Sequence, residues 1–249
     1  MTAFYGILFD LGSTLIYFDG NWEEVFAGAD REVDAALREA GYPHLRADFP
    51  NTFRQRIRKY HADREVDLIE HTTVKILDDL LEELGIQDIP QAVLDRAMAR
   101  MYAVSQAHWH VEPDTHETLA ALQARGYRLG VISNAANHED VSTLVDKAGV
   151  RPYLDFVITS AEIGMRKPSP SIFRLGLERW GVLPDEAVMV GDLLRPDILG
   201  AQQLGIYSVW VTRRASSEEN KKYASTITPD AVIPTLSELP GLMDQLEDS

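Results

Sequence analysis

Five short stretches of this sequence are apolar without interruption, and each stops on a polar residue. Phe4-Tyr5-Gly6-Ile7-Leu8-Phe9 ends at Asp10, Leu129-Gly130-Val131-Ile132 at Ser133-Asn134, and Phe156-Val157-Ile158 at Thr159-Ser160. Val188-Met189-Val190 ends at Gly191-Asp192, and Ser208-Val209-Trp210-Val211 at Thr212. Runs of this kind, continuous rather than alternating, mark strands covered on both faces, as in a parallel sheet. Helical spacing fills the intervals at Thr115 to Arg125, Glu139 to Ala148, Ser171 to Trp180 and Asp197 to Leu204. Gly126, Gly149, Gly181 and Gly205 stand just past these patterns, where a helix-terminating glycine belongs. Strand and helix alternating in this way predict a doubly wound, mainly parallel, Rossmann-like α/β sheet.

The stretch from about Asn21 to His110 differs. Trp22 to Glu39, Phe49 to Tyr60, Leu68 to Leu84 and Gln91 to Ala107 carry helical periodicity, with no strand pattern between them. A connection between parallel strands needs only about a dozen residues, so this all-helical block is expected to be an insertion. The expected division is an α/β core of residues 1–18 and 111–249 with a helical cap of residues 19–110.

Composition narrows the function. The 249 residues carry a formal net charge of −15, which disfavours nucleic acid or an anionic membrane as partner. An anionic small molecule remains compatible, because a metal and a few cations can reverse the field inside a pocket. There is no cysteine, which excludes disulfides, thiolate metal sites and cysteine nucleophiles. No apolar run is long enough to span a bilayer and no secretory signal is evident, so a cytoplasmic location is expected. The sequence does not fix the oligomeric state.

In open α/β sheets, ligands bind beyond the carboxyl ends of the strands. Asp10, Ser133, Asn134 and Asp192 stand at those ends, and Lys167 follows the third strand closely. Singly, each has a structural reading: an acid after a strand commonly caps a helix or a turn, and a lysine is commonly solvated. Together they place two acids, a hydroxyl, an amide and a lysine on one edge of the sheet.

Four segments, in order, resemble the motifs of the haloacid dehalogenase-like (HAD) superfamily. They are Phe9-Asp10-Leu11-Gly12-Ser13-Thr14-Leu15, Val131-Ile132-Ser133-Asn134, Gly164-Met165-Arg166-Lys167-Pro168, and Gly191-Asp192 through Ala201. The helical block sits where that superfamily inserts a helical, C1-type cap. The resemblance spans nearly the whole chain. It implies a hydrolase of small phosphorylated metabolites, in which Asp10 attacks the phosphoryl group and forms an aspartyl-phosphate. Ser133 and the backbone after it would hold the phosphoryl oxygens, Lys167 would neutralise charge, and Asn134 would stand with them among the catalytic residues. Asp10, Asp192 and the carbonyl of Gly12 would bind Mg²⁺, and Asp197 would orient Lys167 or a water on the metal. Two carboxylates and a carbonyl form the hard-oxygen set that Mg²⁺ takes.

One position departs from the pattern. Phosphatases of the superfamily usually carry a second aspartate two residues after the nucleophile as general acid and base; here Gly12 stands there. Such a group contributes about 10²–10⁴-fold in rate. The substrate then has a good leaving group, or a histidine (His61, His71, His108, His110 or His138) supplies the proton, or the chain binds phosphate with weak turnover. A 2-haloacid dehalogenase and a phosphonate-cleaving enzyme also lack that aspartate. The former needs no metal, however, and the latter needs a cap lysine, for which only Lys59 and Lys75 are available. Arg54, Arg56, Arg58 and Arg64, with Trp22 and Tyr60, either bind a second anionic group or form a solvated helix face.

Overall fold

The computed structural model of the chain describes residues 4–42 and 45–248. Its centre is a six-stranded, wholly parallel sheet of β1 (Gly6–Phe9), β4 (Arg128–Ser133), β5 (Phe156–Thr159), β6 (Ala187–Gly191), β7 (Tyr207–Val211) and β8 (Ala231–Ile233), in the order β5-β4-β1-β6-β7-β8. The five apolar runs are its first five members in chain order. β8, a three-residue edge strand, carried no pattern long enough to read. The remaining strands, β2 (Ile16–Phe18) and β3 (Trp109–Val111), form a separate antiparallel ribbon.

Successive residues along each central strand enter different cores. Ile7, Phe9, Leu129, Val131, Val188 and Val190 pack on one face, against Leu119 and Leu122 of α5 (Thr115–Ala124) and Val141, Leu144 and Val145 of α6 (His138–Lys147). Leu8, Ile132 and Met189 point the other way, onto Ile172, Phe173, Leu177 and Trp180 of α8 (Pro170–Trp180), which follows the short α7 (Ser160–Ile163). Helices therefore cover both faces, which is why the strands are apolar at every position.

Between the two strands of the ribbon the chain forms α1 (Trp22–Glu39), α2 (Phe49–Asp67), α3 (Thr73–Glu83) and α4 (Gln91–Gln106). These four share a core of their own, built on Val33, Leu37, Phe53, Leu77, Leu81 and Met98. Asn21 caps α1 and Thr72 caps α3 through side-chain oxygens that accept helix N–H groups. Two boundaries depart from the sequence reading. α2 runs on to Asp67, and the helix expected from Leu68 begins only at Thr73. Leu68 takes a left-handed conformation that ends α2, and Ile69 then forms an antiparallel bridge with Met165 in the segment before Lys167. There the N–H of Arg166 donates to the Leu68 carbonyl (2.9 Å), and the N–H of Glu70 donates to that of Gly164 (3.0 Å).

A second contact between block and sheet domain links α4 to α6: Gln106 Nε2 donates to Asp140 Oδ1 at 2.8 Å. Burial pushes the Asp140 carboxyl up to about 6, against the lowering effect of the Gln106 hydrogen bond. An acid whose pKa is higher folded than unfolded favours the folded state at low pH and loses that contribution as pH rises through about 6. Asp140→Asn keeps the acceptor and removes the charge. It is expected to stabilise the protein at pH 8, by on the order of 1 kcal/mol, and to leave it unchanged at pH 4. Urea denaturation of both proteins across that range checks this; a parallel pH dependence of the two would refute it.

Candidate active site

The carboxyl ends of β1, β4 and β6 bring Asp10, Ser133 and Asp192 to the floor of a cavity of about 460 Å³. At its centre lies the ammonium of Lys167, which donates to Asp10 Oδ1 (2.6 Å), Asp197 Oδ1 (2.7 Å) and the carbonyl of Ile132 (2.9 Å). Its side chain is 1% exposed. Burial opposes the lysine's charge, but the Asp10 and Asp197 carboxylates outweigh it and raise the lysine pKa. The amide of Asn134 fixes the lysine backbone from both sides: Oδ1 accepts the Lys167 N–H at 2.7 Å and Nδ2 donates to the Lys167 carbonyl at 3.0 Å. The cap of α6 comes from Asn137 instead.

Asp197 lies on a π-type turn, Leu194–Leu199, and spends its second oxygen on the N–H of Leu193 (3.0 Å). Asp192 opposes it, with its own carbonyl held by Trp210 Nε1 and Asn220 Nδ2. Carboxylate oxygens of Asp10, Asp192 and Asp197 all lie within 4.8 Å of one another. Three carboxylates against one ammonium leave a formal excess of two negative charges. Burial, then the facing Asp10 and Asp197, push the Asp192 carboxyl well above its usual range. Burial raises Asp10 to about 6 despite Lys167 beside it. The guanidiniums on the cavity wall do not relieve this excess, since Arg64 and Arg166 both face Glu70 and Arg214 is engaged by Glu112. A buried acidic cluster short of positive charge, with oxygen donors only, suits a divalent hard cation.

Of the residues singled out from the sequence, Asp10, Gly12, Ser133, Asn134, Lys167, Asp192 and Asp197 all line this one cavity. The histidines do not. His138 Nδ1 faces Thr159 Oγ1 (3.0 Å), His108 Nδ1 faces the Asp19 carbonyl (3.0 Å), and neither they nor His61, His71 and His110 are among its described lining residues. The arginine cluster divides. Arg54 pairs with buried Asp30 (2.6 Å) and Arg56 with Glu83, whereas Arg64 reaches the cavity.

Two features gave no signal in the sequence. Glu70, from the loop between α2 and α3, is buried and accepts from Tyr60 Oη and Ser160 Oγ, each at 2.6 Å, and from Arg166. It ties the helical block to the loop that carries Lys167. Trp109, at the start of β3, lines the cavity beside Gly12. A buried glutamate shared among residues about ninety positions apart leaves no local pattern, and a lone tryptophan after a helix reads as ordinary packing.

The sequence model of the haloacid dehalogenase-like hydrolase family matches residues 6–205. Over 244 residues the chain is 31% identical to the glyceraldehyde 3-phosphate phosphatase of Methanocaldococcus jannaschii, covering 97% of this chain and 98% of that one. Among solved structures, a HAD phosphatase from Thermococcus onnurineus superposes with a TM-score of 0.61 at 27% identity, over 96% of this chain and 97% of the other. A 2-haloacid dehalogenase from Pseudomonas syringae pv. Tomato shares the fold, with a TM-score of 0.67 at 24% identity over 98% and 99% of the two chains. On the match over most of its length, the chain belongs to the haloacid dehalogenase-like hydrolases.

Proposed function

We propose that this hydrolase is a Mg²⁺-dependent phosphatase of small phosphorylated metabolites, working through an aspartyl-phosphate on Asp10. Residues 1–18 and 111–249 are its catalytic domain, and residues 19–110 its cap. The observation that carries the reading is the Asp10–Lys167–Asp197 chain with Asp192 opposite, a site that has too little positive charge until a divalent cation joins it. The phosphatase among its similar relatives supports the same reaction.

Asp10, Asp192 and the Gly12 carbonyl would hold Mg²⁺. The ion, when bound, screens the nucleophile from the phosphoryl charge. Lys167 holds Asp10 ionised and aimed, and its ammonium lies beside the oxygen that approaches phosphorus. An Asp10 oxygen forms a bond to phosphorus while the bridging P–O bond breaks, its electron pair leaving with the alcohol oxygen. The Ser133 hydroxyl would donate to a phosphoryl oxygen. The N–H after it is available too, whereas that of Ala135 is already given to Ser160 Oγ (2.9 Å). Water then hydrolyses the acyl phosphate and restores the Asp10 carboxylate. Asn134 acts through its grip on the Lys167 backbone.

Asp10→Asn is expected to lower turnover by about 10³-fold or more, because the amide is nearly isosteric but not nucleophilic. Circular dichroism of the variant should match the native protein; near-native turnover with an intact fold would refute the mechanism. With Mg²⁺ present the enzyme should release phosphate, EDTA should stop it, and 2-haloacids should yield no halide. Metal-independent halide release would put dehalogenation in place of this reading. Position 12 offers no carboxyl, no histidine is among the described lining residues, and the lining carboxyl of Asp140 is bonded to Gln106, so rate should fall steeply as the leaving group becomes more basic. Aryl phosphates are expected to exceed alkyl phosphates by about 10²-fold or more in kcat/KM, which reports the bond-breaking step. A series of graded leaving groups measures this, and a flat series would mean that another group delivers the proton.

A further inference from the structure

The far edge of the Trp109 indole lies over the backbone of Gly12. A side chain at position 12 would place its first carbon 3.3 Å from Trp109 Cη2, tighter than most such contacts, and 3.6 Å from Cζ3, an ordinary one, so the indole would have to give by a few tenths of an ångström. Backbone conformation does not demand glycine here: the left-handed residue of this turn is its neighbour, Ser13, with φ of 62°. The indole is what crowds position 12.

That indole is held on the side away from the cavity. Its backbone pairs with Phe18 in the ribbon. Its ring meets Phe18 edge-on at 5.6 Å and Trp22 at 6.0 Å, and those two stack on each other at 3.5 Å. Retreat would break this cluster. With Trp109, the cavity is also lined by Ile16, Ala135, Val141 and Leu144, so a patch of its wall is apolar while Asp10, Lys167 and Asp192 form the charged part.

We propose that Trp109 selects the leaving group, by crowding the position where a proton-donating side chain would stand and offering an aromatic wall to a flat, apolar group that departs as a stable anion. The inference rests on the phosphatase reading and deepens it. In the bond-breaking step the electron pair stays on the departing oxygen. A phenolate, whose acid has a pKa of about 10, bears that charge and takes its proton from water afterwards. An alkoxide, far more basic, does so poorly. Aromatic contact adds to the preference.

The test compares phenyl phosphate with glycerol phosphate in native enzyme, Trp109→Leu, Gly12→Asp and the double variant, each with Mg²⁺. Leucine lacks the atoms that reach position 12. Trp109→Leu should cut the phenyl-to-glycerol ratio of kcat/KM by about 3–10-fold, mostly through KM of the aryl substrate. Gly12→Asp alone should gain nothing on glycerol phosphate, but in the Trp109→Leu background it should raise kcat by about 10²-fold. An equal gain in both backgrounds, or a ratio unmoved by Trp109→Leu, would overturn the role of Trp109 and leave the phosphatase reading standing. Absence of phosphate release by the native enzyme from any ester would remove both. Near-ultraviolet circular dichroism establishes that each variant is folded, and Trp109→Met replaces Trp109→Leu in both backgrounds if the latter is not.

Discussion

A buried ammonium organises this molecule. Lys167 has almost no contact with solvent, and an unpaired charge there would cost several kcal/mol. It is tolerable because three separate segments supply its acceptors: Asp10 after β1, the Ile132 carbonyl in β4, and Asp197 on the turn after β6. Those segments are adjacent only because β4-β1-β6 are adjacent in the sheet. Packing of the apolar strands and the charge arrangement at their ends therefore specify each other. Removing the lysine would leave two buried carboxylates facing one another with no cation between them.

The same loop is restrained from the helical side. Arg166, next to Lys167, is held by Glu70, and residues 68–70 exchange backbone hydrogen bonds with Gly164 and Arg166. Position of the helical block and position of the central lysine are thus mechanically connected through a few residues. The aromatic ribbon makes a second connection, since Trp109 belongs to the strand that leads out of the block and touches the turn after the nucleophile.

Much of this was legible in the residues. Uninterrupted apolar runs gave five of the six sheet strands because each is covered on both faces, and their terminal residues converge because parallel strands end on one side. β8 was not legible, since Ala231–Ile233 is a three-residue edge strand held by its neighbour rather than by its own pattern. The β2–β3 ribbon escaped for the same reason. Leu68 and Ile69 keep a helical spacing with the residues that follow, yet leave the helix because tertiary backbone bonds to Gly164 and Arg166 outweigh a weak local preference. The histidines show the converse: proximity in sequence to the second motif or to the block does not aim a ring into the cavity. Trp109 and Glu70 act through partners about ninety residues away, and nothing in a single sequence encodes that distance.

The ribbon also bears on how such a chain changes over time. Phe18 pairs with Trp109, and the N–H of Asp19 reaches the His108 carbonyl, so the helical block leaves and rejoins the sheet domain at one point. To the sheet, everything between those residues amounts to the loop of a hairpin. The entropic cost of closing a loop grows only with the logarithm of its length, so residues there, apart from Glu70 and its neighbours that hold the Lys167 loop, can be gained, lost or exchanged while the strand order stays as it is. Novelty can accumulate on one side of the ribbon while the reacting groups on the other remain fixed.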